Sequence, residues 1–202
     1  MSLSQRNLQL TRLNAAALLV ALSVILTRVF SSVFIIFGAS VRLGFGSVPI
    51  IYGGFLLGPF YGSLIGLASD LIGILINPMG VPHPGITLTS LLVGLLPGLV
   101  VYFWRRQHIW TLVLGWALTA VLCSQFLQTY WLSQLMTKNY WALFLGRLAA
   151  FPLNQGLNLL VLLAIFPLTK QLPNRLRYLQ RPGLLFKAPG TASEKVSGGG
   201  DE

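Results

Sequence analysis

Residues 58–80 read GPFYGSLIGLASDLIGILINPMG. Gly58, Gly62 and Gly66 recur every fourth residue, which on a helix places them on one face and lets a second backbone approach closely. One turn beyond Gly66 comes Asp70, the only acidic residue between Met1 and Lys187, set among Leu, Ile, Ala and Gly. A carboxylate in hydrocarbon costs about 2.5 kcal/mol or more at mid-bilayer, so such groups normally face a bundle interior or an aqueous cavity. Asp70 is therefore read as a functional group; the alternative is a salt bridge to a buried Arg that only ties helices together.

The composition puts this stretch in a membrane. Of 202 residues, 54% are hydrophobic and 9% charged, where a soluble domain carries roughly a quarter charged. Several apolar runs exceed the roughly 18 to 20 residues needed to cross hydrocarbon, and they lack the strict alternation of barrel strands. The fold expected is an all-α integral membrane protein, a single six-transmembrane-helix bundle. The formal charge of +10 comes from basic residues at helix ends and in the C-terminal segment rather than along one groove, so no nucleic-acid partner is expected. Cys123 is the only cysteine, which excludes an internal disulfide.

Working outward, residues 1–12 form a basic N-terminal segment, residues 13–169 the membrane-embedded domain, and residues 170–202 a basic segment and flexible tail. The first span is read from Leu13 to about Phe37; it runs past signal-peptide length without a convincing cleavage site. GASVRLGFG at 38–46 is a turn-rich connection, and Ser47–Leu57 is a short second span ending at Gly58-Pro59. The third runs to about Ile76, followed by the stiff loop NPMGVPHPG at 77–85. The fourth covers Ile86 to about Trp104, the fifth Trp110 to Met136, and the sixth Tyr140 to Leu168, with kinks expected near Pro97 and Pro152. Arg6, Arg12, Arg105, Arg106 and the cluster after 170 fall on one side, against Arg42 and Lys138 on the other. The positive-inside rule then makes both termini cytoplasmic, with the basic C-terminal segment resting on anionic lipid.

Counting along helices of this direction brings Arg28, Asp70 and Arg147 to one level in the outer half, below Arg42 and the 77–85 loop. Such a pocket offers guanidinium groups for carboxylates and a carboxylate for an amino or ring N–H, which suits a ligand with anionic ends and a nitrogen heterocycle. Phe30, Phe34, Phe37, Trp131, Tyr140 and Trp141 offer faces for a flat ring, or serve as an interfacial belt. His83 and His108 lie in loops and Asp70 is alone, so no catalytic or metal-ligating set and no cofactor is expected. No GK[ST] occurs, so ATP-driven transport needs a partner. A solitary secondary carrier or channel remains the alternative. The small faces at Ala17 and Ala21 and at Gly58–Gly66 are candidates for partner docking or for packing within the chain.

AAALLVAL (15–22), VRLGFGSVPII (41–51), FLLGPFYGSLIGLASDLIGILINPMG (55–80) and PGITLTSLLVGLLPGL (84–99) together resemble the substrate-binding S components of energy-coupling factor (ECF) vitamin transporters. The runs around Arg42, Asp70 and Asn77 look most like the folate-specific members. The resemblance implies a six-helix subunit without enzymatic activity that captures a folate-like vitamin from outside. Another small vitamin is the alternative within the class. It further implies a membrane coupling subunit, contacted through Ala17 and Ala21, and two cytoplasmic ATPase subunits. On this basis the substrate-binding residues are Arg28, Arg42, Asp70, Asn77, His83, Trp131 and Arg147. Their roles would be guanidinium groups on glutamate carboxylates, and Asp70 or Asn77 on the amino edge of a pterin. His83 stands where an aromatic residue is expected in that loop.

Overall fold

The structure, a computed structural model, describes residues 3–28, 32–36, 39–76, 83–104, 108–136 and 139–171. It is a helical bundle carrying one β-hairpin. Helix α1 (Leu3–Arg28) leads into β1 (Ser32–Ile36) and β2 (Ala39–Leu43), then come α2 (Ser47–Leu57), α3 (Pro59–Ile76) and α4 (Pro84–Trp104). A long rod follows, made of α5 (Ile109–Leu118), a π-helical segment (Thr119–Leu127) and α6 (Gln128–Met136), and α7 (Tyr140–Gln171) closes the order.

The first expected span is corrected here. Helix α1 stops at Arg28, and the residues read as its outer end form β1, antiparallel to β2 with Val33 opposite Arg42 and Ile36 opposite Ala39. The physical reason lies in the residues themselves: Val33, Ile35, Ile36 and Val41 are β-branched, and they resist helix and favour strand where a partner strand is at hand. An apolar run alone cannot tell the two apart. The all-α expectation therefore holds for every described element except this hairpin.

Among the described residues, four helices are long and apolar enough to cross a membrane: Gln9–Arg28, Pro59–Ile76, Pro84–Trp104 and Ile109–Leu135. Helix α7 adds a fifth if its two parts, Tyr140–Leu148 and Phe151–Pro167, count as one span bent by 52°. The bend falls at the expected Pro152, whose missing N–H and ring break the i to i−4 ladder. Pro97, by contrast, sits inside α4, which runs as one span. Helix α2, with 11 residues, is about 16 Å long, short of the roughly 30 Å of hydrocarbon.

The expected glycine groove is an internal contact. A Cβ on Gly62 would strike the Gly94 carbonyl oxygen and come within 2.6 Å of the Gly54 Cα, and one on Gly66 would strike the Ser90 carbonyl. From the other side, a Cβ on Gly98 would lie 2.5 Å from the Pro59 Cα. Gly58-Pro59, Gly62 and Gly66 thus face Gly98, Gly94 and Ser90 in antiparallel order, two small-xxx-small stripes laid against each other. Gly58, at φ 92°, makes the turn from α2 into α3 that only a residue without Cβ adopts readily. Around this crossing lies the core of Ile50, Ile51, Phe55, Ile65, Val93, Val101, Leu112 and Leu162.

Helix α1 lies parallel to α3, with Arg28 against Gly73. Its buried side carries Ala16, Val20, Ser23 and Val24, while Leu10, Leu13, Asn14, Ala17, Leu18, Ala21, Leu22 and Ile25 form an exposed stripe at three- and four-residue spacing. The Ser23 hydroxyl donates to the Gly46 carbonyl at 2.7 Å. That bond anchors the start of α2 to α1.

Gly94→Leu should force α3 and α4 apart and lower the thermal unfolding midpoint in detergent, with a loss of about 1–3 kcal/mol or more from overpacking. Gly146→Leu, at a position with nothing within 4 Å of an added Cβ, should leave the midpoint unchanged or raise it slightly through helix propensity.

Candidate functional site

The C-terminal ends of α1, α3 and α6, the N-terminal ends of α4 and α7, and the hairpin all gather at one end of the bundle. This follows from the antiparallel α3–α4 crossing and the contacts described above. Three polar groupings stand there.

The first joins α1 and α3. A Cβ added to Gly73 would lie 2.7 Å from Arg28 Nη2 and 3.0 Å from its Nε, so the guanidinium rests on the glycine. Asp70 precedes Gly73 by three residues and shares its face. Asp70 Oδ2 and the Oγ of the adjacent Ser69 are buried and have no hydrogen-bond partner among the described residues. Burying polar atoms without partners costs about 1–3 kcal/mol each, more for a charge. Arg28 and Asp70, proposed from sequence to share a level, are thus within one helical turn of each other.

The second joins α4 and α6. A Cβ on Gly85 would run into the indole of Trp131 and meet its Cε3 at 2.7 Å, so the ring lies flat on the glycine. The His83 imidazole stands 5.3 Å from the Trp131 ring at 39°, and its Nδ1 accepts from the Gly85 N–H at 3.1 Å. Trp131 Nε1 is buried and has no acceptor among the described residues. The structure therefore brings His83 and Trp131 together. An imidazole stands beside the indole, at a position where the resemblance leads one to expect another aromatic residue.

The third joins α6 and α7. Arg147 Nη2 donates to the Ser124 carbonyl and to Gln128 Oε1, both at 3.2 Å. Gln128 and Trp131 follow at i and i+3 on α6, which is one helical face, so the second and third groupings are neighbours along α6. The Gln125 amide donates to the Phe144 carbonyl at 3.4 Å, tying the same helices. Gly44, just past β2, donates its N–H to Asn154 Oδ1 at 3.4 Å and fastens the hairpin to α7.

Of the remaining expected residues, Arg42 is placed by its backbone on β2, and its side chain lies outside the described residues, as does Asn77 altogether. Ala17 and Ala21 sit on the exposed stripe of α1, away from these groupings. Asn154, Gln155 and Asn158 on α7 were not singled out from the sequence. Arg147, Asn154 and Asn158 nevertheless fall at i, i+7 and i+11, one polar face within an apolar span, and that spacing is readable. Asn158 is 1% exposed, and its Oδ1 has no donor among the described residues.

A cleft of about 420 Å³ lies on the other side of the π-helical segment, lined by Leu92, Leu96, Leu122, Cys123, Phe126, Leu127, Tyr130 and Tyr140. Of the side chains the sequence offers to a ligand, Tyr140, a candidate ring face, lines it, and none of the polar ones does. Its walls are apolar apart from two phenol hydroxyls.

Comparison with known proteins identifies the architecture. The family description "ECF transporter, substrate-specific component" matches residues 11–176. The chain belongs to this family. The S component is 30% identical over 132 residues to the "Folate transporter FolT" of Clostridium novyi (strain NT), an alignment spanning 65% of this chain and 74% of that protein. Its fold matches a crystal structure of FolT bound with folic acid, at TM-score 0.62 and 24% identity, over 74% of this chain and 90% of the other. It also matches a crystal structure of the S-component for biotin from an ECF-type ABC transporter, at TM-score 0.67 and 22% identity, over 85% and 95%. Membership makes this S component a multi-pass membrane protein that binds substrate for transport rather than an enzyme. Its partner is an ECF module.

Gly85→Val should push Trp131 off α4 and destabilise the S component by about 1–3 kcal/mol in thermal unfolding. In a Trp131→Ala background the same substitution should have little effect, because the ring it strikes is gone. A double-mutant cycle measures the difference.

Proposed function

We infer that this S component captures folate or a reduced folate outside the cell and hands it to an ECF membrane coupling subunit driven by two cytoplasmic ATPase subunits. The similarity to the Clostridium novyi folate transporter carries the choice of ligand. The site chemistry supports it. A folate has carboxylates for the Arg28 and Arg147 guanidinium groups, which make charge-assisted hydrogen bonds. Its pterin has ring and amino N–H groups for Asp70, whose Oδ2 has no described partner, and a flat face for the Trp131 and His83 rings. Arg42 and Asn77 would complete the site from the hairpin and from the loop before α4.

In this reading the chain makes six traverses: the four long helices, the bent α7, and α2 as a short buried one. The hairpin end faces outward and both termini face the cytoplasm. The balance of Arg6, Arg12, Arg105, Arg106 and the basic residues after 170 against Arg42 and Lys138 supports this orientation. Residues 1–12 and 170–202 then flank the membrane domain on the cytoplasmic side. Ala17 and Ala21, exposed on α1, give the coupling subunit a face of small residues on which a helix can pack closely.

Titration calorimetry on the purified S component should show tight binding of folate or 5-formyltetrahydrofolate, and none of biotin. Arg28→Ala and Arg147→Ala should each weaken folate binding by about 2–5 kcal/mol, the range for truncating one partner of a buried charge pair. Unchanged affinity in both would remove the arginines from the site.

Ala17→Trp or Ala21→Trp should abolish folate uptake in cells expressing the ECF module while folate binding in detergent persists. Loss of both together would mean that this face packs within the chain instead.

A further inference from the structure

The geometry points to Gln128 as a positioning residue for Arg147, needed because the helix beneath it is π-wound; the assignment rests on the folate reading above. In an α-helix the Gln128 N–H would bond to the Ser124 carbonyl four residues back. Here it reaches five residues back, to Cys123. The Ser124 carbonyl thereby loses its α-helical donor inside an apolar span, where a bare carbonyl is costly. Arg147 Nη2 supplies the replacement, at 3.2 Å.

The same nitrogen donates to Gln128 Oε1, also at 3.2 Å. An Nη group carries two hydrogens, and it meets two acceptors four residues apart in the chain, one main-chain and one side-chain. Together they hold the guanidinium by a single nitrogen and fix its plane. The Nη1 and Nε hydrogens make no described bond to protein and are left for an anion. Ser124 contributes a main-chain oxygen whose place is set by the π turn, so Gln128 is the side chain that decides the angle. Orientation held in advance spares the ligand the ordering of a long, flexible arginine.

The test uses folate and its neutral dimethyl ester, titrated into the purified S component in detergent. Gln128→Leu should weaken folate about tenfold, as expected for a lost hydrogen bond to a charged group, and leave the ester unchanged. Gln128→Met, closer in shape, should behave alike, and thermal unfolding midpoints near that of the unsubstituted protein show that both variants fold. A residue that only shapes the helix would weaken both ligands equally. Equal weakening, or folate binding that is unchanged or tighter, overturns the positioning role and leaves the folate reading standing. An unsubstituted protein that binds neither compound defeats the folate reading, and the role of Gln128 with it.

Discussion

Two helices in this bundle touch backbone to backbone, and most of what matters for the site follows from that contact. Gly66, Gly62 and the Gly58-Pro59 turn meet Ser90, Gly94 and Gly98 of α4 in that order, with no room for a Cβ on Gly62, Gly66, Gly94 or Gly98. In hydrocarbon there is no hydrophobic drive to bring helices together, so close van der Waals contact has to supply the specificity. The antiparallel register that results is fixed to within a residue, because a shift of one would set side chains against main chain. It places the C-terminal end of α3, with Ser69, Asp70 and Gly73, beside the N-terminal end of α4, with His83 and Gly85. Helix α1 is then laid along α3 by Arg28 on Gly73, and α6 is laid on α4 by Trp131 on Gly85. Both are again side chains seated on glycines.

A second constraint works on the other half of the molecule. Every main-chain polar group inside a membrane needs a partner within the protein, and a π turn withholds one. At the end of Thr119–Leu127 the Gln128 N–H goes to Cys123 rather than to Ser124, and Arg147 donates to the Ser124 carbonyl from α7. That bond gives the carbonyl a side-chain donor and holds the Arg147 guanidinium against the π-helical segment, where Gln128 also accepts from it. Bending α7 by 52° between Leu148 and Phe151 separates the part that carries Arg147 from the part that packs its Leu162 and Phe166 into the core.

Much of this was legible in the sequence, because glycine and charge leave signs that do not depend on context. A four-residue glycine repeat means a close helix approach, and Asp70 amid apolar residues has no innocuous place in a membrane. The partner of the glycine stripe was less evident: Ser90, Gly94 and Gly98 carry the same spacing, but that stretch drew notice only through Pro97, as a kink. The end of α1 was misjudged because Val33, Ile35 and Ile36 are as apolar as any helix, and β-preference in an apolar run shows only once a strand finds its partner. No local residue pattern marks the π turn at 119–127. It appears when Gln128 bonds to Cys123 instead of Ser124, which is a matter of one residue in register and not of composition.

The cleft between α4, the π-helical segment and α7 shows why volume is a poor guide to the site in a membrane protein. It holds about 420 Å³, but its walls are Leu92, Leu96, Leu122, Phe126 and their neighbours, with Leu122 and Phe126 on the exposed surface of the bundle. Carboxylates placed there would lose their hydration and gain nothing ionic in return. Across the same π turn the balance reverses, since Arg147 stands in the interior and Trp131 Nε1 and Asn158 Oδ1 lack described partners. This one segment thus carries a side bonded to Arg147 and a side that lines the apolar cleft. On the folate reading proposed above, the buried polar atoms without described partners, none of which lines the cleft, suit an anionic ligand better than the cleft does.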